Sequence, residues 1–385
     1  MKIVHICLCG AMTDGLTYQE NIITKYHRRM GYEVTVIASQ YVWDPHGKIV
    51  LTDKATYLNE DDVKVIRIPI RFGTVDNRLK LYPSLYRTVE SEEPDILFIH
   101  DCQFLDVRVL AKYLRKHPKV RAYVDNHVDY SNGAHGWLSR NILHKMLWRH
   151  CAHRIEPYVT RFYGVLPARV DFLQELYALP AAKCELLVMG GDDEMVQRAA
   201  QPEVRAYIRA QYGIAEDDFL VVTGGKIDGF KTQTLLLMQA VRNIKSDKVK
   251  LLVFGSVADE LKGKVESLAD GTKVQYIGWI QAKDSYHYFA AADLVVFPGR
   301  HSVFWEQVAA QGIPMLVKDW PGTHHVDLGG NVQFLKQDSV DEIKDAIERL
   351  VDHPEKYRRM KSVALEKGMH EFSYAEIAKR AIESE

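Results

Sequence analysis

Continuous apolar runs alternate with amphipathic segments along the first half of the chain. The runs are rich in Val, Ile and Leu, which is typical of strands buried on both faces of a parallel sheet. Between them, apolar residues recur at helical spacing. This alternation predicts a doubly wound α/β sheet. The predicted strands lie at 2–9, 33–38, 63–68, 95–100 and 120–125, and the predicted helices between them include 20–30 and 106–116.

A second alternation begins near residue 217 and predicts a second sheet of the same kind. Its predicted strands lie at 219–223, 250–254, 274–277, 294–297, 315–317 and 332–335, and its predicted helices at 232–243, 282–291 and 340–352. We therefore expect two Rossmann-like domains, at 1–195 and 217–365, joined by a hinge around 190–216. The remaining 366–385 is expected to end in a helix that packs back on the first domain.

Size, charge and cysteine usage narrow the class of protein. A chain of 385 residues suits two domains, and a formal net charge of −1 gives no general attraction for nucleic acid. The five cysteines form no CxxC pair, which favours reduced thiols in a cytoplasmic protein over a zinc site. The first residues are expected to form a strand and not a signal peptide, and no apolar run approaches 18 residues.

A glycine-rich turn follows the first strand of the second domain. The strand at 219–223 runs into Gly224, Gly225 and Lys226, with Lys231 five residues further on. Glycines let a ligand approach the backbone, and two lysines on one turn can stabilise the charge that develops on a diphosphate leaving group. The alternative is an ordinary turn with two solvated lysines.

A polar loop follows the strand at 294–297 and leads into a helix that carries Glu306. Ser302 is expected to cap this helix, so that its first N–H groups can face a phosphate. A carboxylate one turn into the helix can accept two ribose hydroxyls. The alternative for Glu306 is a glutamate on the surface of the helix.

These segments resemble the nucleotide-sugar site of retaining GT-B glycosyltransferases of family 4. Lys226 and Lys231 match the two cations of that family, with Thr232 where glycine is usual, and Glu306 matches the second acid of its paired-glutamate motif. The resemblance runs nearly end to end and implies two domains that face each other across a cleft. The donor contacts that it implies in the second domain are Gly225, Trp279, Ile280, Arg300, His301, Ser302 and Val303.

The chain departs from the family pattern just before Glu306. The first glutamate of the motif lies eight residues upstream in the family, and that position is Pro298 here. We expect Arg300, His301 and Ser302 to act in place of the missing acid. Arg300 can pair with a phosphate through two hydrogen bonds, and His301 can donate one.

In the first domain, a polar loop joins the first strand to the first helix. Its sequence is neither a P-loop nor GxGxxG, so no nicotinamide cofactor is indicated. The resemblance implies that Gly15 touches the donor phosphate and that Asp14 and Tyr18 lie on the acceptor side. A simple capped helix start is the alternative.

Further polar residues follow the strands at 95–100 and 120–125, at the edge where an open α/β sheet binds ligands. His127 matches a family histidine beside the transferred sugar, which makes it a catalytic candidate together with Lys226, Lys231 and Glu306. Asp129 is placed on the acceptor side. A structural role is the alternative for His127, and His100 with Asp101 is a weaker candidate of the same kind.

The segment 137–163 carries five basic residues and one acid among Leu, Met, Trp and Tyr. Such a surface can face anionic lipid or a lipid-linked diphosphate, or can be an ordinary helix with a solvated basic side. From it we expect a peripheral contact with the inner face of the plasma membrane.

The sequence thus predicts a glycosyltransferase that moves a sugar from a nucleotide diphosphate sugar to a glycan or lipid-linked acceptor in cell-surface polysaccharide synthesis. Retention of the anomeric configuration is implied by the resemblance, and we expect neither a cofactor nor a metal. If the reaction inverts, the base is expected to be Asp14, His127 or Asp129. A nucleotide-sugar epimerase of the same shape and a non-catalytic binding protein remain as alternatives.

Overall fold

Two parallel sheets carry the fold, one in each of two units into which the chain divides. The computed structural model describes residues 1–44, 48–71 and 80–383. The first unit comprises Met1–Val188 and Ile377–Glu385, and the second comprises Met189–Glu376.

The first unit is built on an eight-stranded sheet, with strand order β10-β9-β8-β7-β1-β2-β6-β5. All neighbours pair in parallel except β5, which is antiparallel to β6. A separate antiparallel pair is formed by β3 and β4. The strands are β1 (Lys2–Cys7), β2 (Glu33–Ser39), β3 (Tyr41–Trp43), β4 (Ile49–Leu51), β5 (Thr56–Leu58), β6 (Lys64–Ile68), β7 (Ile96–His100), β8 (Arg121–Asn126), β9 (Arg161–Gly164) and β10 (Cys184–Leu186).

Helices cover this sheet because its central strands are apolar on both faces. All five residues of β7 and the last five of β1 are buried. A π-helical segment, Ser139–Trp148, runs directly into the fourth helix. The helices are α1 (Gln19–Arg29), α2 (Leu85–Glu92), α3 (Val107–Lys116), α4 (Arg149–Ile155) and α5 (Pro167–Glu175).

The second unit has a six-stranded parallel sheet with the order β13-β12-β11-β14-β15-β16. Its strands are β11 (Phe219–Gly224), β12 (Val249–Phe254), β13 (Val274–Tyr276), β14 (Leu294–Phe297), β15 (Met315–Lys318) and β16 (Val332–Leu335). Its helices are α6 (Asp193–Ala199), α7 (Pro202–Gln211), α8 (Gln233–Asn243), α9 (Lys262–Leu268), α10 (Ser285–Ala290), α11 (Phe304–Ala310), α12 (Val340–Asp352) and α13 (Pro354–Glu371), and α14 (Tyr374–Arg380) crosses into the first unit. The predicted α/β class with two parallel sheets is confirmed.

In each sheet the strand order reverses at one point, and ligands of open α/β sheets bind there, beyond the carboxyl ends of the strands. The reversal lies between β1 and β7 in the first unit and between β11 and β14 in the second. Loops that follow these strands therefore hold the side chains from which a site can be built.

The acidic stretch between the two predicted domains has structural roles. Asp192 caps α6, since its carboxylate accepts the N–H of Glu194 at 3.1 Å. Asp193 accepts the Ser373 hydroxyl at 2.6 Å and the Ala375 N–H at 3.0 Å. The Asp193 carboxylate therefore holds the start of α6 to the residues that precede and begin α14.

The C-terminal residues add to the first unit. The carbonyl of Ile382 accepts from the Arg121 guanidinium at 3.2 Å and from the Tyr123 hydroxyl at 3.1 Å. The carbonyl of Ala378 lies 2.7 Å from Nε2 of the buried His27.

Candidate functional site

Two lysines and one aspartate occupy the loop that follows β11. Lys226 is exposed and its Nζ lies 3.3 Å from Asp228 Oδ2. Lys231 is half-buried, and its backbone N–H donates to the Asp228 carbonyl at 2.9 Å, which tightens the turn before α8. The loop therefore holds the carboxylate of Asp228 together with Lys226 and Lys231, the two cations that the sequence analysis identified.

Arg300, in the loop after β14, adds a third positive charge to this group. Burial lowers the pKa of Lys231, the carboxylate of Asp228 raises it, and the nearby charges of Arg300 and Lys226 lower it further. The Arg300 guanidinium also lies over the rings of Phe230 and Trp320, at 5.3 and 5.7 Å from their centres. The positive charges of these three side chains repel one another at the point where the strand order reverses. A bound anion would relieve that repulsion, so the group can form an anion site.

Glycines let the neighbouring loops stack at this edge. Gly255, after β12, has φ +131°, and a Cβ there would lie 1.9 Å from the Gly225 carbonyl oxygen. The N–H of Gly255 donates in turn to the Gly278 carbonyl at 2.8 Å. This stack leaves the following Trp279 exposed and Ile280 half-buried beyond the end of β13.

Glu306 is fully buried, and its carboxylate is hydrogen-bonded to two histidines. Its Oε1 accepts from Nε2 of His301 and from Nε2 of His325, both at 2.8 Å. Burial alone would raise the pKa of Glu306, but the two imidazoles outweigh it and lower the pKa to about 2. Glu306 Oε2 and His325 Nδ1 are also buried, and no hydrogen-bond partner reaches either atom within the described chain.

These three side chains are of the kind that can hold a divalent metal, and their ligand atoms lie within 4.8 Å of one another. The two hydrogen bonds account for the same geometry when each imidazole carries a proton on Nε2. The unpartnered oxygen of Glu306 is then an acceptor that a ligand hydroxyl could satisfy.

The expectation that Ser302 caps the helix is wrong. The helix α11 begins at Phe304 and is preceded by Val303, whose backbone is already helical, and no side chain caps it. Ser302 contributes its carbonyl instead, which accepts the Trp305 N–H at 3.0 Å. Because α11 has only seven residues, the positive charge at this end of the sheet is carried by the side chains of the loops.

In the first unit, His127 follows β8 and faces two carboxylates. Its Nε2 lies 3.4 Å from Asp125 Oδ2, and its backbone N–H donates to Asp101 Oδ1 at 2.8 Å. Burial alone would lower the pKa of His127, but the charges of Asp125 and Asp101 raise it to about 9. At neutral pH His127 is therefore a hydrogen-bond donor with a positive charge.

The loop after β1 is fixed by contacts of its own. The Asp14 carboxylate accepts the Tyr57 hydroxyl at 2.7 Å and lies 3.7 Å from the Arg67 guanidinium. The Gly15 N–H donates to the Glu60 carboxylate at 2.5 Å. Tyr18 is half-exposed and precedes α1 without capping it by its side chain.

Asp129 is engaged in the turn that it begins. One of its oxygens accepts the N–H and the hydroxyl of Ser131, at 2.7 and 2.5 Å, and the other accepts from the Arg169 guanidinium at 3.1 Å. Burial would raise the pKa of Asp129, but these donors lower it. Its carboxylate therefore holds the loop next to His127.

Some members of these clusters were not predicted to have a role, His325 and Asp125 among them. His325 lies in a 3-10 turn beyond β15. The signal that could have identified it is its place among polar residues that follow the end of a strand. Asp125 is the last but one residue of the buried β8, and its full burial could have marked it as a charge that needs partners.

Two models of glycosyltransferase domains match the chain. Residues 204–367 match the family described as Glycosyl transferases group 1, and residues 17–189 match the family described as Glycosyl transferase 4-like domain. Together the matches span most of the sequence. No curated protein sequence is similar enough to the chain to count as a match.

Solved structures of glycosyltransferases share the fold of the whole chain. Sucrose-phosphate synthase from Thermosynechococcus elongatus is 15% identical, with a TM-score of 0.69 and coverage of 98% of this chain and 96% of its own. Anabaena HepE, solved with UDP, is 16% identical, with a TM-score of 0.69 and coverage of 99% and 98%. WaaG, a glycosyltransferase involved in lipopolysaccharide biosynthesis, is 16% identical, with a TM-score of 0.66 and coverage of 98% of both chains. These likenesses confirm the expected GT-B fold.

Proposed function

This chain belongs to the glycosyltransferases with the GT-B fold, and from that premise we propose that it transfers a sugar from a nucleotide diphosphate sugar to a glycan or lipid-linked acceptor. The observation that carries the proposal is the group of Lys226, Lys231 and Arg300 at the strand reversal of the second unit. The three cations outnumber the one carboxylate among them, that of Asp228, so a diphosphate would add balancing negative charge, and it gains more charge as the sugar leaves. HepE, of the same fold, has been solved with UDP and with UDP-glucose.

We assign the ribose of the donor to Glu306. Its Oε2 is a buried acceptor without a partner in the described chain, and His301 and His325 keep the carboxylate ionised. A ribose hydroxyl would satisfy that oxygen, whereas the phosphates would be held by the three cations.

The charge states of the first unit support retention. His127 is protonated at neutral pH and cannot take a proton from the acceptor, while Asp14 and Asp129 are already bound to Arg67 and Arg169. In the proposed reaction the acceptor hydroxyl approaches the anomeric carbon from the side of the leaving group. The bond from that carbon to the diphosphate breaks, the new glycosidic bond forms, and a donor phosphate oxygen takes the proton.

Transfer is tested with UDP-glucose, ADP-glucose and GDP-mannose, each with and without a panel of glycan acceptors. We expect acceptor-dependent release of the nucleoside diphosphate, and an α product from an α donor in the NMR spectrum. A β product would contradict retention. An isomerised sugar without an acceptor would indicate an epimerase, and binding without turnover a non-catalytic protein.

Because the three cations can neutralise the diphosphate, we propose that transfer needs no metal. Activity should then persist in EDTA. Loss of activity in EDTA, with recovery after Zn²⁺ or Mn²⁺ is added, would contradict this and would point to His301, Glu306 and His325 as the ligands.

We further propose that the enzyme works at the inner face of the plasma membrane in cell-surface polysaccharide synthesis. None of the helices in the described ranges is both long and apolar enough to cross a membrane. Four large apolar side chains are nevertheless exposed in the π-helical segment and in the two residues before it: Trp137, Leu138, Ile142 and Met146, with exposed fractions of 71, 67, 50 and 65%. The basic residues Arg140, Lys145, Arg149 and Arg154 accompany them, and residues 130–155 contain no acid.

The spacing of these apolar residues places them on one side of the segment. Leu138, Ile142 and Met146 follow one another at intervals of four, close to one turn of a π-helix, while His144 and Trp148 face the core. An apolar stripe flanked by positive charge suits the surface of a bilayer with anionic lipids. WaaG, which shares the fold, is involved in lipopolysaccharide biosynthesis, and this supports the proposed setting.

Replacing Trp137 and Met146 together by serine should weaken binding to vesicles that contain phosphatidylglycerol by about tenfold or more, since two inserted apolar side chains are lost. Leu365→Ser removes an exposed apolar residue of the second unit and should leave binding unchanged. Co-sedimentation measures both. Equal binding of wild type and the double variant, or no preference for anionic over neutral vesicles, would contradict the proposed surface.

A further inference from the structure

Three neighbouring strands of the second unit bring one cation and two aromatic rings together. Phe230 follows β11, Arg300 follows β14 and Trp320 follows β15, and these strands lie side by side in the sheet. The Arg300 guanidinium lies over both rings, 5.3 Å from the centre of Phe230 and 5.7 Å from that of Trp320. A cation is attracted to the face of an aromatic ring at such distances. The loop after each flanking strand therefore supplies one ring to Arg300.

No carboxylate holds Arg300 within the described ranges of the chain. The loop between β14 and α11, in which Arg300 is exposed, contains no acid. Asp228, close to Phe230 in sequence, has its Oδ2 3.3 Å from Lys226 Nζ. Asp319, next to Trp320, has its Oδ1 2.6 Å from a histidine of the following 3-10 turn. The nearest acids in sequence are thus engaged with other partners.

A carboxylate and an aromatic ring hold an arginine in different ways. A carboxylate accepts the N–H groups in the plane of the guanidinium and offsets its charge. A ring contacts the face of the guanidinium and leaves the N–H groups at its edge available. The charge of Arg300 still acts on its surroundings, since it contributes to the lowered pKa of Lys231. The rings therefore fix the cation without using up the groups that bind an oxyanion.

Backbone contacts hold the two rings in place. The Phe230 N–H donates to Asp228 Oδ1 at 2.9 Å. The Trp320 carbonyl accepts the hydroxyl of Thr323 at 2.8 Å and its N–H at 3.2 Å. Phe230 is 70% exposed, so burial in the core does not account for its position. Within the described residues, neither ring packs on another aromatic ring, and the contact with Arg300 is the one that they share.

We propose that Phe230 and Trp320 are positioning residues for Arg300, whose N–H groups their rings leave free to bind the diphosphate of the donor. The proposal rests on the proposed function, in which the diphosphate is assigned to three cations. A side chain that is ordered before its ligand arrives loses less conformational freedom on binding. The two rings thereby raise the affinity for the nucleotide through Arg300.

The affinities of variants for UDP, ADP and GDP, measured by calorimetric titration, test this role. Trp320→Leu should weaken binding of the nucleotide that the wild type prefers by about three- to tenfold, the usual cost of immobilising one flexible side chain. Trp320→Phe keeps a ring and should bind within about twofold of the wild type. Phe230→Leu should weaken binding by about two- to fivefold, since its ring is exposed. Tyr207→Leu removes another exposed ring of the same unit and should have no effect.

A double-mutant cycle separates positioning from a merely structural role. Arg300→Met should weaken nucleotide binding by about tenfold or more, since a charge-assisted contact is lost. In that background Trp320→Leu should have no further effect, because the ring has no cation to hold. In the Lys226→Met background Trp320→Leu should keep its full effect. Additive effects of the Trp320 and Arg300 changes would overturn the proposal, as would a Trp320→Phe variant that binds as weakly as Trp320→Leu.

The contact itself can be measured by NMR without nucleotide. Ring currents should move the side-chain protons of Arg300 upfield in the wild type and in Trp320→Phe, and less so in Trp320→Leu. Ordinary shifts in the wild type would overturn the proposal. The exposed Phe230→Leu keeps the test open if Trp320→Leu does not fold. If the shifts are as expected but no nucleotide binds, the diphosphate role falls with the proposed function. If a nucleotide binds but the cycle is additive, the positioning role alone is refuted.

Discussion

We expect the Lys231→Met variant to lose about 100- to 1000-fold of kcat/KM for sugar transfer, the usual cost of removing one group that stabilises the charge of a leaving group. Lys231 is half-buried, and burial with the charges of Arg300 and Lys226 already lowers its pKa. An arriving diphosphate relieves that repulsion, so the lysine contributes more to the charged transition state than a solvated lysine would. Methionine has a similar length without the charge.

Lys245→Met is the matched control. Lys245 is exposed and precedes β12, so it lies at the amino ends of the strands, whereas the candidate site lies at their carboxyl ends. It should retain full activity and unfold at the same temperature as the wild type. Lys226→Met should lose less than Lys231→Met, since Lys226 is mostly exposed to solvent. Steady-state kinetics with a saturating acceptor measure all three. Activity of Lys231→Met within threefold of the wild type would remove this lysine from the mechanism.

The Glu306→Ala variant should be less stable by about 3–5 kcal/mol, the cost of removing one partner from a buried charged group. Glu306 is fully buried, and its Oε1 accepts both His301 and His325, which the change would leave unpaired. Donor binding should also be lost, because no acceptor remains for the ribose. Denaturant unfolding and calorimetric titration with UDP measure the two effects separately.

Glu306→Gln is the matched comparison, since it keeps the shape and one acceptor oxygen. It should recover most of the stability while donor binding stays weak. Its response to acid should differ as well. A carboxyl group whose pKa is lower in the folded than in the unfolded protein stabilises the fold at pH values above its unfolded pKa. That stabilisation is lost as the pH falls towards the folded pKa, so the wild type should lose the contribution of Glu306 between pH 4.5 and about 2. The glutamine variant should not. An alanine variant as stable as the wild type would contradict the arrangement described for Glu306.

The central strands of both sheets could be predicted because they are buried on both faces and read as continuous apolar runs. The predicted 294–297 and 332–335 agree with β14 and β16 to the residue. The short strands β9 and β10 could not be predicted, since Arg161–Gly164 and Cys184–Leu186 have too few apolar residues for a period. β9 becomes a strand because it pairs along the edge of β8, and β10 pairs with β9 in turn.

The candidate site was predictable where one strand and the loop after it carry the signal. Lys226, Lys231 and Arg300 lie directly beyond β11 and β14, and the sequence places both loops at carboxyl ends of strands. The environment of Glu306 was not predictable, because His325 reaches it from a different loop. Ser302 was assigned as a cap from residue type alone, and a helical residue at 303 moved the start of the helix past it.

The contacts that three buried histidines of the first unit make with one another lie beyond what one sequence can indicate. His5, His27, His100 and Ala378 are far apart along the chain, and only the fold brings their polar atoms within 3.0 Å of one another in turn. A histidine in the middle of the apolar β1 was the one available sign that a buried polar partner must exist.

The most direct test of the account is the thermal stability of the wild type and of Lys231→Met with UDP, ADP, GDP and their sugars. A donor present at about 100 times its dissociation constant should stabilise the wild type by about 2.7 kcal/mol. We predict this shift for the nucleotides of one base, with little or none in the lysine variant. Absence of a shift with every nucleotide would contradict a nucleotide diphosphate sugar as the donor, and an undiminished shift in Lys231→Met would contradict the site assigned to it.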